Sequence, residues 1–211
     1  TVATGSIDMA MPLGLAQVMA SFAGGFGGWL SGNEAADMAN SRLILVWGSN
    51  ITESQVHNWH FIADAIEDNG AKLVVIDPSF TSVAAKADIW VRPRPGSDPA
   101  LILSILHTLI EEELYDKEFV LNHTVGPFLV RSDDGMFLRE DPEDPTSRYM
   151  VWDEAVRKAV PFDEAEEPAL FGSFKVERLD VSPAFQLLAD EAAKHIPEEA
   201  VAYTEVPPEQ V

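Results

Sequence analysis

The sequence predicts an α/β chain: a Rossmann-like, doubly wound parallel sheet with a small β-rich extension after about residue 126. Three observations carry this expectation. Apolar runs recur at 42–50, 71–77 and 88–92, each ending in turn residues, the texture of strands buried on both faces. Segments with helical spacing of apolar positions stand between and after them, so strands and helices alternate. Beyond Gly126 the alternation gives way to short strand-like runs broken by Asp, Gly and Pro.

The first stretch is the least ordinary. Met9–Leu30, "MAMPLGLAQVMASFAGGFGGWL", carries no charged residue and has the length of a bilayer span. Pro12, Gly14, Gly24, Gly25, Gly27 and Gly28 interrupt it, and no Lys or Arg flanks it. Asp8 stands where a signal peptide would carry a basic start. The expectation is a short helix over Leu13–Phe22, then a glycine-rich loop packed against other protein, without membrane insertion.

"RLILVWGSN" (42–50) reads as a buried strand with a loop at its carboxyl end. "TESQVHNWHFIADAIEDNG" (52–70) places Val56, Trp59, Ile62, Ala63 and Ile66 on one helical face. Thr52 and Gln55 suit a capping box there, and Gly70 suits a helix stop. "AKLVVID" is the second strand and Asp88–Arg92 the third. Ser97 or Asp98 caps the next helix, with Pro99 in its first turn. Residues 116–124 form another short helix. "FLVRSDDGMFLRED" reads as a hairpin, "RYMVWD" and "ALFGSFKVE" as further strands, and "SPAFQLLADEAAKHI" as a helix capped by Ser182. The organisation expected is thus an N-terminal helix and Gly-rich segment (1–41), an α/β core (42–126), and a hairpin extension with a C-terminal helix (127–211).

Composition narrows the function. With 46% hydrophobic and 23% charged residues, the 211-residue chain has the balance of a folded globular protein. A formal charge of −21 argues against nucleic acid or an anionic membrane as partner. Its acidic runs, such as 139–145 and 162–168, read as solvated loops and helix ends. No cysteine is present, which excludes disulfides, thiolate zinc sites and cysteine-held iron–sulfur clusters within this chain. The start at Thr1 suggests an excised or processed piece.

In an open parallel sheet, ligands bind at the carboxyl ends of the strands. Three loops meet that description: 47–54, 77–81 and 95–98. Asp77 lies about thirty residues beyond Gly48, as a ribose-binding acid does in a dinucleotide fold. Asp98 has the chemistry to accept two hydrogen bonds from a guanine edge. Each acid also has a plain structural reading: Asp before Pro is turn chemistry, and Asp98 suits an N-cap. The first loop lacks G-x-G-x-x-G, which counts against an ordinary NAD site. His57 and His60 lie three apart on one helix without a third ligand at suitable spacing, and read as a helix-surface pair. His107 reads as a core or boundary residue, and His123 and His195 carry no pattern.

These loops, in this order, resemble the cofactor-binding α/β domain of the dimethyl sulfoxide reductase family, the molybdopterin oxidoreductases. The likeness rests on "VWGSNITES", on "GAKLVVIDPSFTSVAAKADIWVRPRPGSDPALILSILHTLIEEELYDKEFVLNHTVG", on "FLVRSDDGMFLR" and on the closing "IPEEAVAYTEVPPEQV". It implies that the parent carries bis(molybdopterin guanine dinucleotide) molybdenum and a 4Fe-4S cluster, the latter outside this chain. Trp47, Gly48, Ser49, Asn50, Glu53 and Ser54 would line the phosphates and ribose. Asp77, Pro78 and Ser79 would meet a ribose or base, and Gly96, Ser97 and Asp98 the guanine. Ser79 departs from the arginine usual in the family, so that a charged contact near the nucleotide is either lost or supplied from elsewhere. The family's protein ligand to molybdenum falls in the region of "GSIDMAMPLG", where Asp8 is the candidate and Ser6 a weaker one.

The resemblance further implies a fragment inactive alone. Its partners would be the remaining domains of the parent and an iron–sulfur electron-transfer subunit; the compartment stays open, with a periplasmic enzyme, or one membrane-associated through partner subunits, favoured over a cytoplasmic one. Two other readings stand beside it: a self-contained nucleotide module like the central domain of thiamine-diphosphate enzymes, and a cofactor-free interaction domain.

Overall fold

A computed structural model describes residues 35–211. Asp8, Ser6, the Met9–Leu30 stretch and the helix expected over Leu13–Phe22 lie outside the described residues. The chain divides into two compact units at the Arg92–Pro93 bond.

In the first unit a 3₁₀ turn, Ala35–Asn40, leads into β1 (Leu43–Trp47). One helical turn, α1 (Ile51–Ser54), and a longer helix, α2 (Val56–Asn69), follow. Then come β2 (Lys72–Ile76), a 3₁₀ turn at Ala84–Lys86, and β3 (Ile89–Val91). The strands form a parallel sheet in the order β1-β2-β3, with Val46 opposite Val75 and Val75 opposite Trp90. Both crossovers cover one face: Val46, Leu73 and Val75 pack with Ile62 of α2 and with Val83 and Ala84 of the second connection. The α/β expectation holds, and Gly70 ends α2 in the left-handed conformation at φ +64° as expected.

Three local expectations for this unit need correction. β1 was expected to be buried on both faces, yet Leu43 and Leu45 are 58% and 57% exposed. Both described crossovers lie on the opposite face, so an apolar run did not distinguish an uncovered strand from a covered one. The capping box does not form. Gln55, at φ −140°, interrupts the helix between α1 and α2, and the Thr52 hydroxyl bonds to Asn50 and Ser82 instead of capping. Val56, assigned to the apolar face, is exposed, and Ala65 is buried in its place.

The second unit begins with α3 (Asp98–Glu111) and α4 (Lys117–His123). Asp116 caps α4 through its carboxylate, which accepts from Phe119 N–H at 2.9 Å. Strands β4 (Leu129–Arg131), β5 (Met150–Asp153), β6 (Lys158–Pro161), β7 (Phe174–Val176) and β8 (Leu179–Pro183) follow, then helices α5 (Ala184–Ala192) and α6 (Pro197–Thr204). One antiparallel sheet has the order β4-β8-β7, and β5 pairs with β6 in a hairpin. The β-rich texture after residue 126 is therefore real, but its pairing differs from the expectation. "FLVRSDDGMFLRED" does turn tightly, with Arg131 N–H donating to Met136 O at 2.9 Å. Its return leg makes only isolated bridges, however, while β4 pairs fully with β8. Ser182 is not an N-cap: it pairs with Val130 inside β8, and α5 begins at Ala184. Burial of Val181 and Pro183 beside β4 outweighs the local capping signal.

Two ionic devices organise the second unit. Arg148 bonds Glu140 through Nε at 3.0 Å, and its Nη1 reaches Asp163 at 3.1 Å and Glu164 at 2.7 Å. The Glu140 carboxylate first, then Glu164, push the Arg148 pKa above its ordinary value. The acidic runs at 139–145 and 162–168 are thus joined by one guanidinium rather than merely solvated. Asp153 is buried, and its two oxygens accept from Ala155 N–H and Glu166 N–H, each at 2.8 Å. The Glu166 amide above all holds its pKa below the ordinary carboxylate value of 3.8, although burial opposes this.

Two outcomes follow for stability. Leu73→Ala should cost about 2–5 kcal/mol in urea unfolding, whereas Leu45→Ser on the open face should stay within about 0.5 kcal/mol. Asp153 has a depressed folded pKa, so its contribution is complete above the unfolded carboxylate value and is lost as pH falls through the folded one. The urea midpoint should accordingly drop below about pH 4, with a shallower drop in Asp153→Asn.

Candidate nucleotide site

The parallel ladder fixes where the first two loops begin. Gly48 N–H donates to Ile76 O at 2.9 Å, and Asp77 N–H donates to Val91 O at 3.1 Å. Gly48 and Asp77 therefore make the last rungs at the carboxyl ends of neighbouring strands, and the residues after them are released together.

Gly48 sits at φ +58°, a left-handed conformation that lets the chain leave the strand sharply, with open space where a Cβ would stand. Trp47 and Ser49 flank it, half-buried. Asn50 precedes α1, and its backbone oxygen accepts from the Ser54 hydroxyl at 2.9 Å. The Asn50 side-chain amide, the Thr52 hydroxyl, the Glu53 carboxylate and the Ser82 hydroxyl are gathered into one network. Because α1 is a single turn, its macrodipole is weak, and this loop offers side chains more than a helix end.

The second loop folds back on itself. The Asp77 carboxylate accepts from Ser79 N–H at 2.8 Å, an Asx turn across Pro78. Asp77 O accepts from the Trp90 indole at 2.9 Å, and Phe80 meets Trp90 edge-on at 4.9 Å between centroids. One Asp77 oxygen is thus committed to its own loop. Ser82, from this same connection, was not singled out by the sequence. An isolated Ser in "SFTSV" carries no pattern, and only the fold brings it to Asn50.

The third loop opens the second unit. Arg94-Pro95-Gly96-Ser97 forms a turn in which Ser97 N–H donates to Arg94 O at 3.0 Å, with Pro95 preset and Gly96 at φ +85°. Ser97 precedes α3, but its hydroxyl donates to Arg94 O at 2.7 Å and does not cap the helix. Arg94 N–H in turn donates to Thr204 O at 2.7 Å, fastening the loop to the end of α6. Asp98 is the first residue of α3, followed by Pro99, which has no N–H to offer. A carboxylate already occupies this helix start, so the loop is better suited to hydrogen-bond donors on a base than to a phosphate.

Elsewhere, His57 and His60 are exposed on α2. Among the described residues, no group of three or more His, Cys, Asp or Glu converges as a metal site, and no helix is long and apolar enough to cross a membrane.

A family model described as molybdopterin oxidoreductase matches residues 4–202 of this chain. The chain belongs to the molybdopterin oxidoreductase family. Perchlorate reductase subunit alpha from Dechloromonas aromatica is 34% identical to it, over 84% of this chain and 23% of that protein. Chlorate reductase subunit alpha from Ideonella dechloratans is 32% identical, over 83% of this chain and 21% of its own length. The chain thus spans about a fifth to a quarter of these relatives. Among solved structures, acetylene hydratase from Pelobacter acetylenicus shares the fold, with a TM-score of 0.50 and 23% identity over 82% of this chain and 16% of that one. These matches carry the molybdopterin resemblance read from the three loops.

The turn at Gly96 gives a direct check on the third loop. At φ +85° an alanine is strained although the space is open, so Gly96→Ala should cost about 1–2 kcal/mol in chemical unfolding. A neutral result would show that this turn does not hold its conformation in solution.

Proposed function

We propose that this chain is the part of a molybdopterin-dependent oxidoreductase that binds the guanine dinucleotide portion of bis(molybdopterin guanine dinucleotide) molybdenum, and that it is not catalytic alone. The observation that carries this reading is the release of two loops from the last rungs of adjacent parallel strands, the usual ligand position in such sheets. Family membership supplies the cofactor class.

The residues present suit such a ligand. Gly48 and Gly96 have open space where a Cβ would stand, so extended groups can approach the backbone. Trp47, Gly48, Ser49, Asn50, Glu53 and Ser54 would hold the phosphates and first ribose. Asp77, Pro78 and Ser79 would line a second ribose or base, and Gly96, Ser97 and Asp98 the guanine. The bound cofactor supplies redox chemistry at molybdenum, while these residues bind and orient its nucleotide end. Asp8 is the molybdenum ligand in this proposal. The 4Fe-4S cluster belongs to the rest of the parent, an iron–sulfur subunit is its electron partner, and the enzyme is periplasmic or membrane-associated.

One observation favours a second reading. Ser79 places a small hydroxyl where a charge would strengthen nucleotide binding, as in a domain that kept the fold and lost the ligand.

Thermal unfolding of the chain with GDP, ADP or NAD separates these readings. Under the proposal GDP alone raises the midpoint. Asp98→Ala weakens GDP binding by roughly tenfold or more, through loss of a charged hydrogen-bond acceptor. Preference for ADP or NAD would point to a different nucleotide, and no shift with any of them would favour the cofactor-free domain.

A further inference from the structure

We infer that a cavity in the second unit binds a free basic α-amino acid, with Glu113 and Glu154 taking its two cationic groups and Lys117 its carboxylate. The cavity measures about 300 Å³, which suits a small molecule. It shares no residue with the three candidate nucleotide loops. Ala169 and Leu170, both buried, form its floor, and the rings of Tyr115 and Phe171 stand among its walls. Glu113, Lys117 and Glu154 complete the lining and are exposed.

Each part is fixed locally. After α3, Glu113 N–H donates to Ile110 O at 3.2 Å and Leu114 N–H to Leu109 O at 2.9 Å. This closure puts Glu113 at φ +53°, a left-handed position that glycine fills at lower cost. Tyr115 leans on Phe185 at 4.9 Å between centroids, and Phe171 meets the same buried ring edge-on at 5.4 Å. Gly172 N–H donates to Gln186 Oε1 at 2.9 Å and ties the Phe171 segment to α5. The end of β5 is held to the floor, since Ala169 N–H donates to Trp152 O at 2.8 Å and Glu154 N–H to Glu167 O at 2.9 Å. Walls and floor are thus set by backbone bonds and one buried ring.

Opposite charges line this cavity without pairing. Among the described residues Glu113, Glu154 and Lys117 have no ion-pair partner, so the lysine is held away from both carboxylates. Burial first, then the Glu113 charge, raise the Tyr115 pKa above its ordinary value, which keeps the phenol neutral and its O–H available as a donor. The lining therefore offers two anions, one cation and an apolar floor. A basic α-amino acid carries the complement: two cations, one carboxylate and a methylene stem. Its charged ends gain charge-assisted hydrogen bonds, and its stem covers Leu170 and the two rings. A diamine leaves Lys117 unmatched, and an amino acid with an apolar side chain leaves one carboxylate unmatched. The formal charge of −21 further favours approach of a ligand with net positive charge.

The test titrates the full chain with L-lysine at low ionic strength and follows the Tyr115 and Phe171 ring signals by NMR. Cadaverine, which lacks the carboxylate, and L-norleucine, which lacks the side-chain ammonium, are titrated beside it. L-lysine should bind roughly tenfold more tightly than either analogue. Lys117→Gln should erase the preference over cadaverine and keep the preference over norleucine. The double variant Glu113→Gln, Glu154→Gln should bring lysine down to the affinity of norleucine. All three positions are exposed, so the variants fold as the wild type does. Cadaverine or norleucine binding as tightly as lysine would overturn the amino-acid assignment. Preferences unchanged in the variants would overturn the assignment to this cavity, and so would ring signals that stay fixed at roughly millimolar lysine.

Discussion

The parallel ladder of β1, β2 and β3 is the constraint on which the first unit depends. Its register puts Trp47, Ile76 and Val91 on one rung, and the two hydrogen bonds beyond that rung are donated by Gly48 and Asp77. Sheet formation and loop placement are thus one event, because the residues that close the ladder also open the loops. A slip of one residue would turn Val46 and Val75 out of the core and carry both loops with them. The buried side chains Ile62, Leu73, Val75 and Val83 enforce the register from a single face.

The second unit solves a different problem. It carries many of the chain's acidic residues, and they must be held close without mutual repulsion opening the fold. Arg148 gathers three carboxylates from two acidic runs, and the Asp153 carboxylate is held by hydrogen bonds from backbone amides. Apolar packing of Leu129, Leu138 and Val181, with Trp152 stacked on Phe174 at 4.3 Å, supplies the cohesion those charges cannot.

The first two candidate loops follow from the ladder of the first unit, and the third is built within the second. They offer backbone groups at the left-handed glycines Gly48 and Gly96, with hydroxyl, amide and carboxylate side chains. Groups of this kind discriminate by hydrogen-bond direction more than by charge attraction. Ser79 extends that pattern, since its backbone amide serves the Asp77 turn and its side chain adds no charge.

The sequence by itself determined the α/β class, the three strands, the helix stop at Gly70, the helix start near Asp98 and the positions of the three loops. Each depends on short-range physics: the period of apolar residues, the conformational freedom of glycine, and the fixed φ of proline. Only tertiary structure decided that Leu43 and Leu45 lie open while Leu73 and Val75 are sealed, because composition alone does not say which face a crossover covers. It also decided that Ser182 pairs in a strand instead of capping a helix, since the partner that competes for it, Val130, is fifty-two residues away. In the site, Thr52 read as a cap and Ser82 read as nothing. Their hydroxyls acquire a role only when two loops thirty residues apart are brought within 2.6 Å.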